Sequence, residues 1–202
     1  MTTVPKKPLK LYLFRHGQTE WALAGKHTGR TDVPLTAEGE DEARAWAPFV
    51  KKIAFDQVFT SPRQRAQKTC ALGGLGAKAH IEPDLAEWDY GDYEGVRSVE
   101  IKKERPDWEI FRDGCPHGES PEQITARADC LIARLSQMSG TVALFSHGHF
   151  GRVLSVRWIG LAVVQGEHFQ LGTAALNILS YDPSHPDVSV IALWNATPGM
   201  FA

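Results

Sequence analysis

Arg15, His16 and Gly17 follow directly on the apolar run "LYLF", and His147, Gly148 and His149 follow "TVALFS" in the same way. A third run, "QVFTS", leads into Pro62 and Arg63. A neutral imidazole can attack as a nucleophile or carry a proton, and a guanidinium grips anions through a fork of N–H donors. Taken singly, each piece has a plainer explanation, such as a polar cap on a buried strand or solvated arginines at a helix start. Together, two imidazoles and two guanidinium groups at the ends of buried runs describe a small volume rich in positive donors. That volume suits a phosphate group. Glu87, in "DLAEWDYGDYEG", is either the acid of such a site or one of several surface carboxylates. The competing chemistry is a metal site of His147, His149 and Glu87, but a structured zinc site has closer ligand spacings and a second shell that is not evident here.

Such residues need a frame that brings distant strand ends together. Residues 9–14, 57–61 and 141–146 read as strands, and helical patterns separate them. From Thr36 to Lys52 an acidic first turn precedes Ala43, Trp46, Ala47 and Val50 on one face, with a kink expected at Pro48. "SPRQRAQKTCAL" reads as a helix opened by Ser61 and Pro62 and ended by "GGLG". Ser120, Pro121 and Gln123 form a capping box ahead of Ile124, Ala128, Leu131, Ile132, Leu135 and Met138 at helical spacing. Strands alternating with helices imply a three-layer α/β/α sandwich with a mostly parallel central sheet, whose ligands bind beyond the carboxyl ends of the strands. "AALNILSYD" and "VSVIALW" read as two further strands, antiparallel neighbours, and residues 106–120 as an irregular excursion.

At 202 residues the chain is expected to form one domain, 1–202, and 43% hydrophobic with 23% charged residues is a globular composition. A net charge of -2 argues against a surface built for nucleic acid, so any anion binding must be local. No segment approaches the length of a membrane span. "MTTVPKKPLK" resembles neither a secretory signal nor a targeting helix, and three widely spaced cysteines form no disulfide framework or zinc pattern; a cytoplasmic location is expected. Cys70 and Cys130 lie in helical patterns and are expected to be buried.

"RHGQTEW", "TGRTDVPLTAEGE", "TSPRQRAQKT", "DLAEWDYGDYEG", "GES" and "SHGH", in this order, resemble the histidine phosphatase superfamily, which includes phosphoglycerate mutases and many phosphatases. "GQTEW", "TGRTDVPLT", "EWDYGDYEG" and "RDGC" are similar to its sedoheptulose-1,7-bisphosphatase-like members. The resemblance implies a phosphoglycerate mutase-like fold and a metal-independent phosphomonoesterase working through a phosphohistidine. It implies His16 as nucleophile, Arg15, Arg63 and His147 as the phosphate clamp, and Glu87 as general acid. Gln18, Thr19 and the backbone at Thr28 and Gly29 fall at pocket-lining positions. Neither cofactor nor metal is implied. The partners expected are a small phosphorylated substrate and inorganic phosphate, with neither nucleic acid nor membrane, and an oligomer is possible.

A phosphoglycerate mutase is the alternative. The mutases carry extra basic residues after the acid motif, where this chain offers only Arg97, Arg105 and Arg112, and it has Ala22 where they commonly have Asn. Both departures favour a phosphatase of sugar phosphates or sugar bisphosphates. Arg152, five residues beyond His147, is a candidate for a second substrate phosphate. His27, Tyr90 and Gly148 are further candidates for the substrate pocket, Tyr93 is weighed with them, and His149 is read as structural rather than catalytic.

Overall fold

The computed structural model describes residues 8–201. Its strands are β1 (Lys10–Arg15), β2 (Gln57–Thr60), β3 (Ala79–Ile81), β4 (Thr141–Ser146), β5 (Leu176–Tyr181) and β6 (Ser189–Ala196). The helices are α1 (Glu20–Leu23), α2 (Ala37–Arg44), α3 (Ala47–Val50), α4 (Gln64–Leu72), α5 (Ser98–Glu104), α6 (Ile110–Asp113), α7 (Pro121–Leu135) and α8 (Gly148–Trp158). One six-stranded sheet has the order β3-β2-β4-β1-β5-β6. The first four strands of that order run parallel, whereas β5 is antiparallel to both β1 and β6.

Alternate residues of one strand enter cores on opposite faces. Leu11 and Leu13 pack with Ile124, Leu131 and Phe150, while Phe14 packs with Trp46, Val50, Ala66 and Cys70. This two-sided burial makes the strand read as a continuous apolar run instead of an alternating one. The α/β/α layering expected from the alternation of strands and helices is therefore present.

Register aligns the strand ends. Arg15 lies opposite Ser146 across β1 and β4, and Thr60 lies opposite Phe145 across β2 and β4. Pairing continues one step past the strands: the His16 N–H donates to the Ser146 carbonyl and the Ser61 N–H to the Phe145 carbonyl, both at 2.9 Å.

Four local expectations are corrected. The stretch 36–52 is two helices, α2 and α3, with Pro48 near the start of the second, where its missing N–H leaves no helical bond unmade. Helix α4 begins at Gln64 with Arg63 at its N-cap, because Ser61 faces His147. The excursion 106–120 contains α6 and buries Trp108, Ile110 and Phe111. Cys130 is exposed, since α7 turns Ala128, Leu131 and Leu135 inward and leaves position 130 on the outer side. Cys70 is buried as expected, and burial pushes its thiol up to about 12. Among the described residues no helix is long and apolar enough to cross a membrane.

Candidate active site

His16 sits just beyond β1, 4% exposed. Its tight emergence depends on Gly17: a Cβ there would come within 2.3 Å of the Gly39 carbonyl oxygen. The Gly17 N–H donates to Thr69 Oγ1 at 3.0 Å, tying the turn to α4. His16 Nδ1 lies 2.7 Å from the Gly17 carbonyl oxygen, which can only accept, so Nδ1 carries the proton and Nε2 keeps its lone pair. Burial first, then the charges of Arg65 and Arg15, hold the ring well below the usual histidine range. The imidazole is therefore neutral near pH 7, as a nucleophile must be.

Arg15 donates through Nη1 to the Leu171 carbonyl at 2.5 Å, and its buried Nε–H has no partner among the described residues. Gly148 lets it lie close, since a Cβ at that position would meet the guanidinium carbon at 3.3 Å. Gly148 also begins α8, whose first N–H groups have no intrahelical acceptor and carry the positive end of the dipole. Two of those groups hold Glu87. Its Oε1 accepts from the N–H of Phe150 at 2.8 Å and of Trp88 at 2.9 Å, and its Oε2 accepts from the N–H of His149 at 3.0 Å.

The His147 ring lies 5.2 Å from that of His16, edge to face. Arg65 Nε donates to its Nδ1 at 3.2 Å, so the proton resides on Nε2 and is donated to Ser61 Oγ at 2.7 Å. Arg65 is fully buried, and its remaining N–H groups meet the carbonyls of Thr28, Gly29 and Thr31. That loop is fixed from its other side by the Glu94 carboxylate, which accepts from the N–H of Gly29 at 2.9 Å and of Thr31 at 3.0 Å. A chain of bonds thus runs from Glu94 through the loop and Arg65 to His147, against which His16 packs.

Arg15, His16, His27, Thr28, Glu87, Tyr90, Gly148 and Arg152, all expected at the site, line one cavity of about 200 Å³. The structure does not bring the other expected residues onto this cavity. Gln18 is used on Glu42 and Thr36, Thr19 caps α1, and the Gly29 N–H is committed to Glu94. Tyr93 packs on Trp108 and accepts from Arg105, outside the cavity. His147 stands behind His16, with both ring nitrogens engaged by Arg65 and Ser61, and is not among the residues that line the cavity. Arg63 does not line it either, although its Nε–H is buried without a partner among the described residues. Arg65, a residue not expected from the sequence, acts on His16 with its charge alongside Arg15. A signal existed, because Arg65 shares the inward stripe of Ala66, Thr69 and Cys70 on α4.

His147, His149 and Glu87 do not form a metal-ligand set: the first is engaged as above and His149 Nδ1 meets the Tyr90 hydroxyl at 2.7 Å. Among the described residues no group of three or more His, Cys, Asp or Glu side chains is placed to hold a metal ion.

The model of the histidine phosphatase superfamily (branch 1) matches residues 11–196. The chain belongs to this family. This histidine phosphatase is 39% identical over 188 residues to an acid phosphatase of Mycobacterium tuberculosis, covering 91% of this chain and 92% of that one. It is 35% identical over 193 residues to a sedoheptulose 1,7-bisphosphatase of Saccharomyces cerevisiae, covering 79% of this chain and 71% of the relative. A solved Mycobacterium tuberculosis structure superposes with a TM-score of 0.87 at 38% identity, covering 94% of the phosphatase and 98% of its own chain.

Proposed function

We propose that this phosphatase hydrolyses sugar phosphates or sugar bisphosphates through a phosphohistidine formed on His16 Nε2. The observation that carries this reading is the pinned, neutral His16 ring sharing one cavity with Glu87 and the unpaired Nε–H of Arg15. In the first step Nε2 attacks phosphorus, the bond to the leaving oxygen breaks, and Glu87 gives that oxygen its proton. In the second, Glu87 takes a proton from water, the water oxygen attacks phosphorus, and the P–N bond breaks to release inorganic phosphate and neutral His16. The Arg15 Nε–H and the start of α8 at Gly148 supply donors to the phosphoryl oxygens, and buried Arg65 supplies charge nearby.

Arg152 supports the sugar bisphosphate reading. Its Nε and Nη2 donate to the carbonyls of Gly166 and Glu167, and its guanidinium stacks 4.5 Å from the Phe111 ring centre. Held there, it lines both the inner cavity and an adjoining one of about 430 Å³, where a second anionic group of the substrate would meet it.

The mutase reading loses its candidate carboxylate readers. Arg97 pairs with Glu100, Arg105 meets Tyr93 and Arg112 pairs with Asp113, and none lines either cavity. The test is phosphate release from fructose bisphosphate, sedoheptulose bisphosphate, 3-phosphoglycerate and nucleotides, with quenched mass spectrometry to detect a phosphoryl group on His16. His16→Ala should abolish both turnover and the trapped species. Turnover by that variant at the native rate would remove His16 from its role.

A further inference from the structure

Between the two cavities stands His149, which lines both. Its Nδ1 lies 2.7 Å from the hydroxyl of Tyr90, a side chain only 2% exposed. Among the described residues the hydroxyl has no other partner. If Nδ1 were the donor, the phenolic hydrogen of this almost fully buried side chain would have no acceptor among the described residues, and an unmade bond of that kind is costly. The phenol therefore donates and Nδ1 accepts. Burial holds the His149 ring well below the usual histidine range, so it is neutral, and its one proton sits on Nε2. That nitrogen bonds to no described residue.

The neighbouring side chains are held in place by packing and hydrogen bonds. His27 stacks on Tyr90 with ring centres 4.7 Å apart and reaches Ser98 Oγ through Nε2 at 3.3 Å. Phe111 packs 5.4 Å from the His149 ring centre, and Arg152 is bound to its two carbonyls. The outer cavity beyond is polar, with Ser98, Lys102, Glu109 and His168 in its wall. A leaving group that crosses from His16 to this outer cavity must pass a fixed, neutral N–H donor.

We infer that His149 is a specificity-determining residue, whose Nε2–H reads a hydroxyl or ether oxygen of a polyhydroxylated leaving group spanning the two cavities. Tyr90 is its positioning residue, setting the tautomer without touching the substrate oxygen. The inference rests on the phosphatase reading above and adds to it the group that selects a polyol over an aryl leaving group. A site built to hydrogen-bond a hydroxyl discriminates strongly against esters that lack one.

The experiment measures kcat/KM for fructose 1,6-bisphosphate and 4-nitrophenyl phosphate with wild type, His149→Phe, His149→Gln and Tyr90→Phe, each checked for native melting. His149→Phe should lose about tenfold more on the sugar ester than on the aryl ester, the order expected for one neutral hydrogen bond. His149→Gln, whose amide nitrogen takes the position of Nε2, should recover most of that difference. Tyr90→Phe should show a smaller loss of the same selectivity. Equal losses on both esters, or Phe and Gln variants that behave alike, would overturn the inference while leaving the phosphatase reading in place. Wild-type protein that hydrolyses neither ester would instead overturn that reading. The tautomer is then decided by ¹⁵N spectra of the imidazoles: an Nε2–H pattern for His149 that mixes in Tyr90→Phe supports the assignment, and an Nδ1–H pattern refutes it.

Discussion

Acidification should destabilise this protein through its buried histidines, His16 and His147, at pH values above the ordinary carboxylate range. His16 and His147 are 4% and 0% exposed, and burial together with neighbouring arginines holds both well below the usual histidine range. In the unfolded chain each ring takes up a proton near pH 6.5, whereas in the fold it stays neutral. Below that pH the unfolded state binds more protons than the native one, so stability falls as pH falls. The loss begins near the unfolded pKa and continues down to the depressed folded one. Each ring that stays neutral contributes about 1.4 kcal/mol per pH unit, or about 2 kcal/mol between pH 6.5 and pH 5. The two together amount to about 4 kcal/mol, a large part of the roughly 5–15 kcal/mol that holds an ordinary domain. His149, lowered in the same direction, adds to the effect. Urea unfolding at a series of pH values from about 7.5 to about 5 measures it, in a window above the ordinary carboxylate range of about 3.9–4.3. His16→Gln removes one of the titrating rings, so its stability should fall less steeply, by about 2 kcal/mol at the acid end. A wild-type stability that stays level across this window, or a variant curve parallel to it, would refute the argument that neutral rings are enforced by the fold.

Other outcomes follow from the same geometry. Glu87→Gln should slow alkyl phosphates by about 10²–10⁴-fold and aryl phosphates much less, because a phenolate leaves without needing a proton; initial rates on matched esters decide it, and equal losses would reject the proton-donor role. Arg65→Met should cost far more than Arg63→Met in both kcat and melting temperature, since Arg65 is fully buried and bonded to His147 and the 28–31 loop. The reverse ranking would restore Arg63 as the principal cation. Gly17→Ala should destabilise the fold by about 1–3 kcal/mol through the forced contact with Gly39, seen as a lowered urea midpoint, and an unchanged midpoint would show that the turn can relax.

The sequence by itself determined the frame and the chemistry. Apolar runs buried on both faces, cut off at Arg15 and His147, required a covered sheet with polar residues at its strand ends, and the motifs around them carried the family. A strand pattern also specified β5 and β6, because their runs are bounded by turn residues. Pairing register, however, is a property of two segments at once, so only the tertiary structure decided that Ser61 would turn to His147 and leave Arg63 to cap α4. The choice between Arg63 and Arg65 was likewise tertiary: two residues apart, they leave α4 in different directions, and burial falls on the one whose N–H groups find carbonyls in a loop held by Glu94, far away in sequence. The role of Tyr90 shows the same limit. Its type is written in the chain, but what its hydroxyl does depends on where His149 comes to rest.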